Sequence, residues 1–301
     1  MSSGEIAVEV SRALDSLVGL SVGDALGQSF LLLGAAAEPL LARRAVRKER
    51  PWRWTDDTAM AISIVRHLNA YGTLDPDELA PAFADRYMAE PHRGYGGAAR
   101  TVLTRIAAGA PWRREAARLF DGEGSMGNGA AMRAAPIGAY FAADLKRTCD
   151  QALRSAAPTH AHPDGAAGAV AVAVAAAVAA DMAAHGALDG DALLAAVHEH
   201  TPAGPTRAGI ASARSLGLAA DPAEAARRLG SGAQVIAADT VPFCVWVAAR
   251  HLDSYEEAVW TAITPPGDRD TTGAIVGGIV ALSAGVDSIP AEWRRAREPL
   301  T

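Results

Sequence analysis

The run from Gly165 to Ala180 constrains the fold of this chain more than any other stretch of its sequence. It is apolar throughout and consists mostly of alanine. A helix that is apolar on every side must be buried on every side, and this run is shorter than a membrane span. It therefore predicts a tightly packed central helix surrounded by the rest of the chain.

Apolar residues recur at helical spacing along most of the remaining sequence. No stretch shows the alternating pattern typical of a strand, and we find no clear internal repeat. The sequence therefore predicts an all-α bundle of roughly ten or more helices. No Ser/Pro/Gly-rich linker divides the 301 residues, which favours a single domain over residues 1–301. The predicted helices include Ala7–Leu20, Ala130–Tyr140, Val241–Leu252 and Ser254–Thr264.

Charge and cysteine content exclude several classes of protein. The formal net charge of -6 argues against general nucleic-acid binding or attachment to a membrane surface. Cys149 and Cys244 lie too far apart to form a framework of disulfides or a structural zinc motif. The first residues also lack the pattern of a secretory signal peptide. We therefore expect a cytoplasmic protein without a membrane anchor, and we expect a monomer.

Two acidic motifs, far apart in the chain, each precede an apolar helical run. The first is Thr55-Asp56-Asp57-Thr58, and the second is Asp268-Arg269-Asp270-Thr271. Taken alone, each could be a plain helix cap, because Thr and Asp are ordinary N-cap residues. Adjacent carboxylates repel each other, however, so keeping them ionised at a packed site requires positive charge nearby. A cation bound between the two motifs would supply that charge. We therefore predict that the two helix starts converge on one oxygen-rich site.

Such a site suits hard divalent cations. Carboxylates, threonine hydroxyls and water favour Mg²⁺, Mn²⁺ or Ca²⁺ over zinc or copper. The two motifs carry enough oxygen ligands for two ions, which could orient vicinal hydroxyls and activate a water. Together with an anion-binding loop, these ions point to a ligand with a diol and a phosphate, as in a nucleotide ribose.

A glycine-rich segment from Phe120 to Arg133 is the candidate for that loop. Its four glycines expose backbone N-H groups ahead of an expected helix, so it is a plausible cradle for an anion. It matches neither a P-loop nor a dinucleotide fingerprint.

Three other features have weaker signals. Gly19, Gly23 and Gly27 recur every fourth residue around Asp24, which predicts close backbone packing on one helix face. His160 and His162 lack a third zinc ligand in their pattern and are better explained as ligand-contacting or capping residues. The basic segment from Arg43 to Arg53 could attract phosphates, but solvated surface charge is the more ordinary explanation.

The order of these motifs resembles the ADP-ribosylglycohydrolase family, also called dinitrogenase reductase-activating glycohydrolases. The motifs are GDALG, WTDDT, RGYG, GSMGNGAAMRAAPIG, THAHP and GDRDT, and the resemblance extends from about Gly19 to Gly285. The RGYG segment and the glycine loop look closest to the branch that includes ADP-ribosyl-serine hydrolase. The resemblance implies an orthogonal helical bundle with two Mg²⁺ or Mn²⁺ ions that acts on ADP-ribose and ADP-ribosylated substrates.

The resemblance also implies roles for individual residues. Gln28 and Asp57 would be the catalytic positions, and Phe120 would lie against the adenine. The implied metal ligands are Thr55, Asp56, Asp57, Asp268, Asp270 and Thr271. The implied substrate contacts are Asp24, Gly94, Tyr95, Phe120, Gly124, Ser125, Met126, Gly127, Asn128, Gly129 and His160.

The chain departs from the family pattern after Asp24. Family members generally carry a glutamate a few residues after this segment, whereas this chain has Gln28 and no carboxylate before Glu38. A glutamine cannot exchange a proton near neutral pH, and losing a general acid/base costs on the order of 10²- to 10⁴-fold in rate.

Several explanations of this departure stay open: an introduced Glu-to-Gln change, a base supplied by Asp57 or by metal-bound water, or a protein that binds ADP-ribose without turnover. The leading hypothesis is a metal-dependent hydrolase that releases ADP-ribose from an O- or N-linked acceptor. A phosphohydrolase using the same ions is the weaker alternative.

Overall fold

The computed structural model describes the backbone of residues 3–300, and the side chains from Ala7 onward. Sixteen α-helices occur in this range, joined by turns and four short 3₁₀ segments. The α-helices, numbered in chain order, are α1 Ser3–Leu31, α2 Glu38–Leu41, α3 Asp56–Tyr71, α4 Pro76–Ala89, α5 Gly97–Ala107, α6 Trp112–Ala117, α7 Ala135–Tyr140, α8 Leu145–Ala156, α9 Pro163–His185, α10 Gly190–His200, α11 Pro205–Leu216, α12 Pro222–Leu229, α13 Ala237–Arg250, α14 Tyr255–Ile263, α15 Arg269–Ser283 and α16 Ala291–Ala296.

The all-α prediction is confirmed. Within residues 3–300 the extended pairings are two isolated bridges, Trp52 with Arg297 and Gly127 with Ile236. Most buried hydrophobic residues between Ala13 and Ala296 form one connected core, beside a small separate cluster of Ala142, Ala177 and Ala180. The helices therefore pack around a shared interior.

Helix α9 is the central helix that the alanine-rich run predicts. It begins at Pro163, where the missing backbone N-H costs nothing, and ends before Gly186 in a left-handed conformation. By length and composition this helix could span a membrane, but 78% of its apolar window is buried inside the protein. Small side chains let neighbouring backbones approach it, and a Cβ at Gly138 of α7 would lie 1.9 Å from the Ala173 carbonyl oxygen.

Helices α1 and α15 are in direct backbone contact along the glycine face of α1. A Cβ at Gly19 would lie 2.3 Å from the carbonyl oxygen of Gly277, and one at Gly23 would lie 2.0 Å from that of Gly273. One at Gly27 would lie 2.1 Å from the Arg269 carbonyl oxygen. The close packing predicted for this face is therefore confirmed. Because the glycines pack against a partner, α1 also continues to Leu31, beyond the predicted end at Leu20.

The helix predicted over Ala130–Tyr140 is wrong at its start. The segment from Ala130 to Tyr140 does not form a continuous helix: a 3₁₀ turn over Asn128–Ala130 and a further turn precede α7, which begins at Ala135. Pro136 occupies the first turn of α7, where proline is tolerated. The glycine loop therefore leads into a tight turn and not directly into a helix.

Candidate active site

The two acidic motifs meet at one cavity of about 550 Å³. Asp56 and Asp57 reach it from the start of α3, and Asp268, Asp270 and Thr271 reach it from the start of α15. The two segments are more than 200 residues apart in the sequence. The glycine loop lines the same cavity, so the convergence expected from the sequence is present in the fold.

Asp24 of α1 fixes the start of α3. Its carboxylate accepts hydrogen bonds from the backbone N-H of Thr55 at 2.9 Å and of Thr58 at 3.2 Å, and from both threonine hydroxyls. These contacts satisfy backbone donors that a helix start leaves without partners. Asp24 is fully buried and does not line the cavity. In the fold it orients the acidic motif from behind.

Neither acidic motif uses its own side chains as a helix cap. Thr55 is the N-cap residue of α3 and Asp268 that of α15, and neither side chain accepts a capping hydrogen bond from its helix. Plain capping therefore does not explain the side chains of these two residues. Because Asp24 caps α3 instead, the Thr55 hydroxyl is left to contact the carboxylates.

Burial, together with mutual repulsion, disfavours the ionised form of these carboxylates. Burial raises the pKa of Asp56 to about 7, with the charge of Asp24 adding to the effect. Burial and neighbouring carboxylates also raise the pKa values of Asp57 and Asp270 well above their usual range. Burial raises the pKa of Asp24 to about 6, although its hydrogen bonds oppose that shift. The cluster thus lacks positive charge, which protons or cations could supply.

The oxygen atoms of the cluster fit a divalent cation. The Oδ1 atoms of Asp57 and Asp270 are buried and have no hydrogen-bond partner. The Thr55 hydroxyl lies 2.8 Å from Asp57 Oδ2 and 2.9 Å from Asp24 Oδ1. It can donate its single proton to only one of these two carboxylates. Among the described side chains, no three His, Cys, Asp or Glu residues are already gathered into an ion-binding group.

The glycine loop is tied to the acidic cluster by Asn128. Its side-chain amide donates to Asp268 Oδ2 at 2.7 Å and to Thr240 Oγ1 at 3.1 Å. Ser125 Oγ accepts a hydrogen bond from the Gly127 N-H at 3.2 Å, which closes the turn. Gly124 has a φ of +77°, and a Cβ there would lie 2.6 Å from the His162 nitrogen. Glycine is therefore required at this turn for both conformation and space.

A buried hydrogen-bond chain supports the loop from below. Arg133 donates to Thr159 Oγ1 at 2.9 Å and to the Gly129 carbonyl at 3.2 Å. Thr159 Oγ1 lies 2.8 Å from Nδ1 of His160. His160 Nδ1 is closer to the Thr159 hydroxyl than the other acceptor within reach, the Ala156 carbonyl at 3.5 Å, so we infer that the hydroxyl donates its proton to Nδ1. The Nε2-H of His160 is then a donor beside the loop, where a Cβ at Gly129 would lie 3.3 Å from Nε2.

Charge and burial fix the protonation states of His160 and Arg133. Burial and the charge of Arg133 lower the pKa of His160 to about 3, so its imidazole is neutral at physiological pH. Burial lowers the pKa of Arg133 to about 9, which leaves the guanidinium largely charged near pH 7. The loop thus has a positive charge beneath it and a neutral donor at its side, an arrangement suited to an anionic group.

Exposed apolar side chains stand at the mouth of the cavity. Phe120 is 60% exposed, Met126 is 39% exposed and Val235 is 56% exposed, and all three line it. Phe120 and Val235 both adopt a positive φ, of +51° and +56°. For a β-branched residue such as Val235 this conformation is strained. These residues provide apolar surface that a flat ring could cover.

The RGYG segment, residues 93–96, packs against Asp56. The Asp56 N-H donates to the Arg93 carbonyl at 2.7 Å. Gly94 has a φ of +96°, and a Cβ there would lie 3.4 Å from Asp56 Oδ1. Tyr95 is buried against Tyr87 and does not line the cavity, although its hydroxyl has no hydrogen-bond partner.

The cavity does not gather every residue that the resemblance implies. Gln28 and Thr55 line a second cavity next to it, and the Gln28 Oε1 is buried without a partner. His162 is the N-cap of α9 and accepts from the Asp164 N-H at 3.0 Å, so capping explains this histidine. The predicted site residues that do not line the main cavity are Asp24, Gln28, Thr55, Tyr95 and Gly124.

Several residues that line the cavity were not predicted from the sequence, and Arg133 and Val235 are the two with a clear role in its charge and shape. The signal for Arg133 is a lone cation within the otherwise apolar stretch from Ala130 to Tyr140. Val235 lies in a connector that gives no comparable signal, because its strained backbone depends on the loop around it.

Comparisons with known proteins identify the family of this chain. The sequence pattern that defines the ADP-ribosylglycohydrolase family matches residues 6–299. The chain is 27% identical to the ADP-ribosylhydrolase ARH3 of Homo sapiens, over 96% of this chain and 90% of the human protein. It is 28% identical to the ADP-ribosyl-[dinitrogen reductase] glycohydrolase of Rhodospirillum rubrum, over 94% of this chain and 88% of that protein.

A solved structure described as an ADP-ribosylglycohydrolase-related protein complex has the same fold. It superposes with a TM-score of 0.62 at 25% identity, over 97% of this chain and 94% of that one. Fold and sequence together define an all-α hydrolase. The chain belongs to the ADP-ribosylglycohydrolase family, which confirms the resemblance inferred from its motifs. It is accordingly an enzyme that hydrolyses linkages to ADP-ribose.

Proposed function

We propose that this enzyme releases ADP-ribose from an O- or N-linked acceptor and depends on two divalent cations, Mg²⁺ or Mn²⁺. The observation that carries the proposal is the convergence of two acidic helix starts and a glycine loop on one cavity. Carboxylates and cations suit the diol of the distal ribose, and the loop suits the diphosphate. Both groups occur together in ADP-ribose.

The ligand chemistry supports hard cations at the acidic cluster. Carboxylate and hydroxyl oxygens are the donors that Mg²⁺ and Mn²⁺ prefer. Asp57 Oδ1 and Asp270 Oδ1 are buried without partners and so have unused coordinating capacity. When bound, the ions would neutralise the cluster and polarise the sugar hydroxyls and a water. The residues that would hold them are Thr55, Asp56, Asp57, Asp268, Asp270 and Thr271.

The chain's own residues would divide the remaining work. The glycine loop and the Nε2-H of His160 would bind the diphosphate, with the Arg133 charge behind them. The carboxylates would stabilise the positive charge that develops at the anomeric carbon in an oxocarbenium-like transition state. Asp57 would accept a proton from the attacking water as the bond to the acceptor breaks, and the departing acceptor atom would take up a proton from solvent. Gln28 can donate a hydrogen bond to the leaving group but cannot supply a proton.

Release of ADP-ribose tests the proposal directly. The protein would be incubated with Mg²⁺ or Mn²⁺ and with serine- or arginine-linked ADP-ribosyl peptides, and free ADP-ribose would be measured by chromatography. We expect release by the natural chain and a loss of at least about 10²-fold in Asp57→Asn. Asp253→Asn, the same change at an exposed position, should have no effect. Binding of ADP-ribose by calorimetry without any release would contradict turnover, and a gain of activity in Gln28→Glu would then identify the missing acid/base.

A further inference from the structure

A second cavity of about 370 Å³ adjoins the acidic cluster. Thr55 lines this cavity, and its hydroxyl lies 2.8 Å from Asp57 Oδ2. Arg93 lines it too, whereas the next residue, Gly94, lines the first cavity. The wall between the two cavities is therefore built from Thr55 and the Arg93-Gly94 link, and the second cavity begins one residue from the acidic cluster.

The two cavities differ in their linings. The first contains the glycine loop and the apolar mouth, which together match the parts of ADP-ribose. The second contains none of those residues and instead has the end of α1, the basic segment and His92. If ADP-ribose fills the first cavity with its scissile bond at the carboxylates, the group on the other side of that bond extends toward the second cavity.

Most of the positive charge in the second cavity is already balanced. Arg93 forms ion pairs with Glu90 and Glu298, and its guanidinium stacks 3.4 Å from the Trp54 ring centroid. Arg47 pairs with Glu49 at 3.2 Å and donates to the Ser29 carbonyl at 3.1 Å. These contacts make the inner wall rigid and leave it close to neutral.

Arg53 is the exception. It lines the cavity, its side chain is exposed, and it forms no hydrogen bond or ion pair with any of the described residues. His92 lies exposed in the same lining. The mouth of the second cavity thus carries an uncompensated guanidinium, which would attract an anionic group on an incoming ligand.

We propose that the second cavity binds the acceptor half of the substrate, and that this acceptor is a peptide with an acidic side chain next to the ADP-ribosylated residue. The inference rests on the proposed function. The limited volume fits a short peptide segment, and Arg53, the one unpaired arginine among the described residues that line the cavity, fits one carboxylate. A polynucleotide would require a longer basic track, and the chain as a whole has a net charge of -6.

Matched substrates and variants test this inference. Two ADP-ribosylserine peptides would differ by an Asp or an Asn beside the modified residue, and a third substrate would carry ADP-ribose on a small neutral leaving group. Arg53→Gln and Arg53→Glu would be compared with Arg43→Glu, the same charge reversal at an exposed position outside the cavity. Melting temperatures should be unchanged in all three variants, because both arginines are exposed.

We expect the natural chain to prefer the Asp peptide by about fivefold in kcat/KM, the factor for a partly exposed ion pair. The preference should disappear in Arg53→Gln, invert in Arg53→Glu and persist in Arg43→Glu. Turnover of the small substrate should be the same in all four proteins. This pattern separates the acceptor half from the ADP-ribose half.

Three results would overturn the inference. One is equal turnover of the Asp and Asn peptides by the natural chain, and another is a similar loss on the small substrate in Arg53→Gln. The third is an Arg53 dependence confined to an oligonucleotide ADP-ribosylated at its terminal phosphate, with the steep salt dependence typical of nucleic acids. If no substrate is cleaved, the proposed function fails. The inference is then decided by the calorimetric affinities of the two peptides, and equal affinities would reject it.

Discussion

His160 illustrates how single side chains in this enzyme are held in one chemical state. The Thr159 hydroxyl accepts from Arg133 and lies 2.8 Å from His160 Nδ1, to which we infer that it donates its proton. Burial and the nearby guanidinium then disfavour protonation of the imidazole. The result is a neutral histidine with its Nε2-H beside the glycine loop. Keeping this histidine neutral lowers the stability of the fold at acidic pH.

The first prediction concerns the pH dependence of stability. The pKa of His160 is lowered to about 3 in the fold, so the unfolded chain binds more protons below its ordinary pKa of about 6.5 and stability falls as the pH drops. Between pH 7 and pH 5 this residue should cost about 2 kcal/mol of unfolding free energy. In denaturant unfolding between pH 7 and pH 5, His160→Gln should lose about 2 kcal/mol less unfolding free energy than the natural chain does. Equal pH slopes would contradict the assignment.

The second prediction concerns the strained residue at the cavity mouth. A left-handed conformation costs a non-glycine residue roughly 1–2 kcal/mol, and asparagine tolerates it better than valine does. Val235→Asn should therefore raise the free energy of unfolding by up to about 1 kcal/mol. It should also weaken ADP-ribose binding severalfold in calorimetry, because the exposed apolar branch is lost.

Val235→Ala is the matched control for this strain. It removes most of the apolar branch but keeps the unfavourable backbone, so its affinity should fall without a gain in stability. Undiminished affinity in both variants would mean that the strain at Val235 does not serve the ligand.

At the scale of helices, the contact between α1 and α15 aligns the two halves of the site. Gly23 lies against Gly273 on α15, and the next residue along α1, Asp24, caps α3. One helix thus sets the position of both acidic motifs, since α15 begins with Arg269 against Gly27. Any displacement of α1 would separate the carboxylates.

The third prediction tests this alignment. In Gly23→Ala the added methyl would lie 2.0 Å from the Gly273 carbonyl oxygen, so the helices must move apart. We expect a loss of at least about 3 kcal/mol in unfolding free energy, at the upper end for overpacking, together with reduced turnover. Gly97→Ala in the first turn of α5 meets no atom within 4 Å and should be nearly neutral for stability. Natural stability in Gly23→Ala would show that the interface can relax.

At the scale of the whole molecule, the acidic cluster lowers the stability of the fold but provides a binding site. Several buried carboxylates whose pKa values are raised make the fold less stable at neutral pH than a neutralised cluster would be. The large shared core, with α9 at its centre, supplies the stability that this arrangement requires. A ligand that neutralises the cluster should therefore stabilise the entire fold.

The fourth prediction measures that linkage without relying on activity. Adding Mg²⁺ or Mn²⁺ at pH 8 should raise the melting temperature, by the equivalent of about 2.7 kcal/mol at a hundredfold excess over Kd. Asp270→Asn should be at least as stable as the natural chain without cations, because repulsion is removed, but should gain much less when cations are added. Asp253→Asn should gain as much as the natural chain. A cation effect of the same size in Asp270→Asn would argue against binding at the cluster.

The sequence by itself determined the helical class, the central apolar helix and the ends of several other helices. These features depend on local interactions: apolar periodicity, and caps such as Asp75, which accepts from the Asp77 N-H, or Gly72 after α3. It also indicated that the two acidic motifs belong together, because a cation shared between them would supply the positive charge that adjacent carboxylates require.

Only the tertiary structure decided what stands behind and beside those motifs. It placed Asp24 as the cap of α3, joined Arg133 to His160 through Thr159, and assigned Gln28 to a cavity apart from the glycine loop. These relations depend on how closely distant backbones approach, which is set by packing along glycine faces and not by the local preferences of any one segment.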